Sequence, residues 1–242
     1  MKHPLLIASL ATLVVAASDT ARAQSPADAS SAADKPAAAA PPPVYKPPLR
    51  GAPGGRVGGA SRAAVHITTP LPEIELLAPA DHGGVTGTAT PTLFYFVSRP
   101  VSWPTQFTIS APMQPQPVLE TTISSPAAAG IYALRLADYR VRLHPGTIYT
   151  WSVSIILEPR AWSRNIVASG TIVFDPAVDT RAALALPPVR RADFFAGAGL
   201  WYDAVAAAAE AQSLDRHAAI DALIKQVGLT EATAYEAALA QR

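Results

Sequence analysis

The chain of 242 residues contains no cysteine. That excludes disulfides, thiolate metal sites, a cysteine nucleophile and a lipid anchor on an N-terminal cysteine. Charge is also scarce: only 15% of residues are Asp, Glu, Lys or Arg, so candidate acid–base pairs are few. The 19 basic and 18 acidic residues nearly cancel, and a chain without a basic field lacks the electrostatic footprint of nucleic-acid binding. Aromatics are 7% although half the chain is apolar. Much of that apolar half is alanine, which adds little burial per residue. Long apolar runs are missing after the N-terminus, so no second stretch reads as a membrane span.

Catalytic and metal-binding patterns are absent as well. The histidines are His3, His66, His82, His144 and His217, and no two fall at metal-ligand spacing on one helix. There is no Gly-x-Ser-x-Gly elbow and no Ser-x-x-Lys motif. His82 follows Asp81 in a turn, where it reads as a solvated residue before a ligand or a base. Glu73 and Glu75 lie two apart on one strand: facing inward they would repel, and facing outward they are ordinary surface. No cofactor, metal or catalytic residue is assigned from the sequence.

The N-terminus reads as an address. Lys2 and His3 precede an apolar run from Pro4 to Ala17, and Ala21-Arg22-Ala23 fits a small-x-small cleavage site. This is the pattern of a secretory signal peptide over residues 1–23, the alternative being an uncleaved anchor. Residues 24–49 are Pro, Ala and Ser with a few charges, which predicts a disordered, partly polyproline tether. Residues 50–70 hold five glycines between Arg50 and Arg62. Backbone amides there, with Arg56, could contact an anion; the plainer reading is a basic linker. A nucleotide loop is excluded, because no strand precedes the glycines and no helix follows.

The stretch from His144 to Ile155 organises the remainder. Pro145-Gly146 supplies a turn. From Tyr149 the alternate residues Tyr149, Trp151, Val153, Ile155 and Leu157 are apolar, and Thr150, Ser152 and Ser154 between them are polar. A strand presents alternate side chains to opposite faces, so this is a strand with one core face. Leu143 to Tyr149 resembles the tyrosine corner of immunoglobulin and fibronectin type III sandwiches, in which a tyrosine bonds back to the upstream backbone. Further short runs at Ile74–Ala78, Thr92–Val97, Thr105–Ser110, Val118–Ile123, Ile131–Leu136 and Val167–Phe174 bring the count to about seven. The expected fold is therefore a mainly β, seven-stranded immunoglobulin- or fibronectin-like sandwich over residues 71–178. The apolar run from Thr92 to Val97 predicts a central strand buried on both faces. Trp103 and Trp162 fall in loops, where they either close the ends of the sandwich or meet a sugar or a partner.

After Pro187-Pro188 the period changes to helical, giving a C-terminal helical segment over 188–242. Helices are expected at Val189–Ala196, Leu200–Gln212, Asp215–Val227 and from Thr230 to Ala240, with Gly228 ending the third. Trp201-Tyr202-Asp203 is the sharpest local signature. It reads as an anchor that packs the tail on the sandwich, with a ligand or partner site as the alternative.

Three stretches together resemble one bacterial family, known only as family 928 of the domains of unknown function. They are the Arg50–Gly59 glycine patch, Tyr149-Thr150-Trp151-Ser152-Val153, and Gly199-Leu200-Trp201-Tyr202-Asp203-Ala204; Gln226-Val227-Gly228-Leu229 is a further match. The resemblance runs from about Arg50 to Leu229. It implies an exported protein of the bacterial envelope and carries no catalytic residues. The expectation is a periplasmic or secreted, non-enzymatic module that binds an envelope protein, with no nucleic acid and no membrane span after cleavage. A glycan- or small-ligand-binding module is the second expectation, and an enzyme without a recognisable motif the third.

Overall fold

The computed structural model describes residues 41–48, 57–60 and 70–239. The expected signal peptide, most of the tether and Arg56 lie outside the described residues. The strands are β1 (Val57–Ala60), β2 (Ile74–Leu76), β3 (Gly84–Thr86), β4 (Thr92–Val97), β5 (Thr105–Ser110), β6 (Leu119–Ile123), β7 (Gly130–Arg135), β8 (Ile148–Ile155) and β9 (Ile166–Phe174). The helices are α1 (Pro188–Gly197), α2 (Trp201–Ala209), α3 (Ser213–Gln226) and α4 (Thr230–Leu239). The protein is mainly β with a helical C-terminal part, as its periodicity predicts.

The expected strands divide between two sheets. One runs β9-β8-β5-β6 and the other β2-β4-β7. Two short strands were not expected. β1 pairs antiparallel with one half of β9, and β3 pairs parallel with the other half. Between them they cover the outer edge of β9, an edge that would otherwise offer unpaired backbone groups. The Gly/Arg segment read as a linker thus contributes a strand over Val57–Ala60. β3 begins at Gly84, two residues after the Asp81-His82 turn.

β8 sits between β5 and β9. Tyr149, Trp151, Val153 and Ile155 are buried and Thr150 is exposed, so the alternation separates core from solvent over the first part of the strand; Ser154, expected on the wet face, is buried. The His144 backbone N–H donates to the Tyr149 hydroxyl at 3.1 Å, which is the upstream bond expected of a tyrosine corner. Gly146 makes the turn with φ +71, a conformation glycine adopts without strain. Its N–H donates to the Phe174 carbonyl at 2.9 Å, tying the turn to the end of β9.

β4 is buried on both faces because two layers flank it. Leu93, Tyr95 and Val97 alternate with Phe94 and Phe96, and all five are buried. The Phe96 ring lies 5.3 Å from the Tyr235 ring of α4, and Tyr95 packs beside Tyr132. The helices thus lie on the outer face of the three-stranded sheet. Glu75 on β2 reaches α4, where its carboxylate accepts the Ala232 N–H at 3.0 Å. A carboxylate in the first turn satisfies an orphan amide and complements the helix dipole. Glu75 therefore faces a helix and not bulk water.

The tether ends earlier than its composition suggests. Residues 41–48 lie extended along the helices. Lys46 N–H donates to the Ala196 carbonyl at 3.0 Å, Tyr45 N–H to Gln226 Oε1 at 2.9 Å, and Gln226 Nε2 to the Pro43 carbonyl at 3.1 Å. Proline-rich backbone carries few donors, so it can cross a helical surface while leaving few amides unpaired. Tyr45 supplies the apolar anchor.

Candidate functional site

The start of α2 fastens the helices to the sandwich through three successive residues. Trp201 is fully buried, and its indole N–H donates to the Leu77 carbonyl at 2.8 Å. The Tyr202 hydroxyl receives the Trp151 indole N–H at 2.9 Å and donates to the Thr171 carbonyl at 2.9 Å. Burial pushes this phenol well above its ordinary pKa. Asp203 accepts the Gly87 N–H at 2.8 Å. Burial raises its carboxyl to about 6, and the bonds from Gly87 and the Thr86 hydroxyl pull part of that back. Two rings of this kind remove on the order of 300–500 Å² from water, worth up to ~8–12 kcal/mol, whereas each hydrogen bond adds a net ~1 kcal/mol. Burial therefore holds the seam together, and the hydrogen bonds fix its register.

The glycines at this seam make room for it. A Cβ on Gly84 would stand 2.5 Å from Tyr202 Cε2, so the ring fits only against a bare backbone. Gly199, at φ +77, meets the Lys46 carbonyl at a would-be Cβ distance of 3.0 Å.

A second cluster lies beside it. His82 Nδ1 is 2.7 Å from Asp81 Oδ1, and its Nε2 is 2.9 Å from the Tyr45 hydroxyl. The Tyr45 ring stands edge-on to Trp201 with centroids 4.9 Å apart. Burial, and then the Asp81 carboxylate, raise the Tyr45 phenol. The hydrogen bond from His82 holds Asp81 below its usual value. Carboxylate, imidazole and hydroxyl are connected as in an acid–base relay, but the terminal hydroxyl is buried against the seam. This chain pins residues 41–48 to Trp201. His82, read from sequence as a solvated turn residue, is instead largely buried.

The third feature is open to ligands. A cleft of about 510 Å³ separates the outer face of β4 and β7 from α2, α3 and α4. Phe94 and Ala133 line it from the sheet, and Ala206, Ala209 and Ile220 from the helices. Four charged side chains line it as well: Arg135, Arg216, Glu210 and Glu236. Both carboxylates are engaged, Glu210 by Arg191 and the buried Glu236 by His217. The two arginines make no ion pair among the described residues. The Tyr132 and Tyr235 hydroxyls donate to the carbonyls of Ala128 and Ala129 at 2.8 and 3.0 Å, which fixes the loop at the mouth. A volume of this size falls within the range of ligand pockets.

A family model, Domain of Unknown Function (DUF928), matches residues 57–237. The chain belongs to this family. The DUF928 match begins at β1 and ends within α4, so it spans both sheets, Trp201-Tyr202-Asp203 and every cleft residue named above. No curated protein and no solved structure matches the chain.

Within the DUF928 fold the expected interaction residues separate. Trp201 and Tyr202 are buried, and the polar atoms of Trp201, Tyr202 and Asp203 are bonded inside the molecule. They are structural anchors, and no partner can reach the two rings. Trp103 is half-buried and packs on the core. Trp162, in a short 3-10 turn, stays 66% exposed. Tyr149 and Trp151 are buried on β8, and Gly146 makes the turn before it at φ +71. The cleft was not foreseen from sequence: its charged residues sit on β7, just after α2, on α3 and on α4, and no local motif joins them.

Proposed function

We propose that this protein is an exported, non-enzymatic binding module of the bacterial envelope, and that the cleft between the three-stranded sheet and the helices receives a segment of a partner protein. One observation carries this reading: Arg135 and Arg216 line a preformed cleft with no ion pair among the described residues. Exposed groups on loops and concave faces positioned by a rigid scaffold are where recognition residues collect. The carboxylates beside the arginines are tied to Arg191 and His217, and the nearby tyrosine hydroxyls to backbone carbonyls. The cleft therefore offers recognition groups in place of a free acid–base pair. Export rests on the N-terminal pattern of Lys2, the run from Pro4 to Ala17 and Ala21-Arg22-Ala23. Kinship with fibronectin type III sandwiches is supported by the division of the seven expected strands, four and three, between two sheets and by the bond between Tyr149 and the backbone of His144.

The test is site-specific photo-cross-linking in cells, with the reactive side chain at Ala209 on the cleft wall. The expected outcome is repeated capture of one envelope protein, reduced when the reactive group is moved to Thr150 on the opposite sheet. Equal capture from both positions would remove the cleft as the interface. Deleting the helices is no substitute for this experiment, because Trp201 and Tyr202 complete the core.

A second reading is glycan binding, favoured by the exposed indole of Trp162. Trp162→Ala should then abolish pull-down of the protein by isolated wall or surface polysaccharide while leaving its melting temperature unchanged. Unaltered pull-down would eliminate it.

A further inference from the structure

We infer that the cleft selects a carboxylate-bearing, part-apolar segment, namely a short acidic stretch of the partner chain; this rests on the binding-module reading above. Charge comes first. Arg135 and Arg216 line the cleft with Glu210 and Glu236, and those two carboxylates already have partners in Arg191 and His217, so the excess charge left without a partner among the described residues is that of the two arginines. The excess is local, because the chain as a whole is close to neutral. It also falls on the two side chains that nothing in the described fold occupies. Arginine presents a planar fork of donors that matches a carboxylate with two parallel bonds.

Shape and apolarity come second. Arg135 projects from the end of β7, opposite Thr92 in the register, while Arg216 stands in the first turns of α3. The two guanidinium groups therefore belong to opposite walls. Between them the lining is Phe94 and Ala133 on one side and Ala206, Ala209 and Ile220 on the other. Small alanines leave room for an apolar side chain over Phe94 while a neighbouring carboxylate meets an arginine. A basic segment would meet uncompensated guanidinium groups, and a neutral sugar would leave both without a counter-charge. Like-charge contact and unpaired groups are the two ways a site rejects a wrong ligand. The walls are fixed before binding: Tyr132 and Tyr235 pin the loop at Ala128 and Ala129, and His217 holds Glu236.

The probe is a fluorescein-labelled octapeptide of alternating glutamate and leucine, titrated with the full chain by fluorescence anisotropy. Saturable binding is expected, weakened about tenfold or more in Arg135→Gln and in Arg216→Gln, and weakened by added salt as exposed charges are screened. Both arginines are exposed, so each variant should keep the melting temperature of the parent. Arg135→Glu should lose the acidic peptide and gain affinity for the same peptide with lysine in place of glutamate. Equal binding of the acidic and basic peptides, or undiminished binding in both glutamine variants, overturns the inference. So does arginine-dependent binding of inorganic phosphate with none of the peptide, which would make the cleft a small-anion site. Cross-linking from Ala209 keeps the two levels apart. A partner captured equally by the parent and by both glutamine variants leaves the binding module standing and removes its acidic specificity. No capture in any of them removes the module reading itself.

Discussion

The Trp151 indole of the central strand donates to the hydroxyl of Tyr202 on α2 at 2.9 Å, deep inside the molecule. The same hydroxyl donates onward to the Thr171 carbonyl of the neighbouring strand. One phenol thus satisfies a donor and an acceptor that belong to the sandwich, from a helix that begins fifty residues after Trp151 in the chain.

Removing that oxygen leaves both partners unpaired. Tyr202→Phe is expected to lower stability by ~1–3 kcal/mol, the cost of orphaned buried polar groups. Urea denaturation reads it as a lower midpoint at constant slope. A loss under ~0.3 kcal/mol would show that the hydroxyl is dispensable.

Gly84 should be as demanding. An alanine there brings Cβ to 2.5 Å of the Tyr202 ring, and overpacking of this kind costs ~1–3 kcal/mol. Gly84→Ala and Tyr202→Leu should be coupled, each relieving part of the damage of the other. A double-mutant cycle that sums to zero coupling would mean that the ring does not rest on Gly84.

Asp203 makes stability depend on pH in an unusual direction. Its carboxyl titrates at about 6 in the fold, against ~3.9 in an unfolded chain. The native state holds this proton more tightly. Its stabilising contribution is full below pH ~4 and is lost as pH rises through about 6. Asp203→Asn keeps an acceptor for Gly87 and removes the charge. The variant should match or exceed the parent near neutrality and lose that advantage at about pH 4. Urea midpoints of both proteins across this range decide it, and a constant difference would contradict the assignment.

Residues 41–48, the strap across the helices, have an optical readout. Tyr45→Ala strips the edge-on ring from buried Trp201 and should shift tryptophan emission to the red. Tyr45→Phe, which removes only the bond to His82, should leave emission near that of the parent and cost ~0.5–1.5 kcal/mol. Identical spectra for parent and Tyr45→Ala would show that the strap does not shield the indole.

Much of the fold was legible because its strands follow a simple period. Along β8 the alternate residues Tyr149, Trp151, Val153 and Ile155 are apolar and buried, as are Phe107 and Ile109 along β5; the burial of Ser154 and Thr105 was not legible, because a polar residue in an alternating strand reads as its wet face. The double burial of β4 was legible in its unbroken apolar run. β3 was not, because Gly84 is in place to make room for Tyr202, and the parallel pairing of β3 with β9 leaves no local trace. Residues 41–48 read as a tether since proline dominates them; their placement comes from Gln226, which lies 181 residues from Tyr45. Trp201 was legible as an anchor from its helical phase. The cleft escaped sequence reading because Arg135 and Arg216 meet only after the sheet and helices pack.

The bond from Tyr45 to Gln226 joins residues 181 apart in the chain. A chain that emerges from its N-terminus can complete neither the strap nor the seat of Trp201 until α3 has followed. Contacts of such long sequence separation form late and slow folding. The arrangement delays final closure until nearly the whole polypeptide has been made.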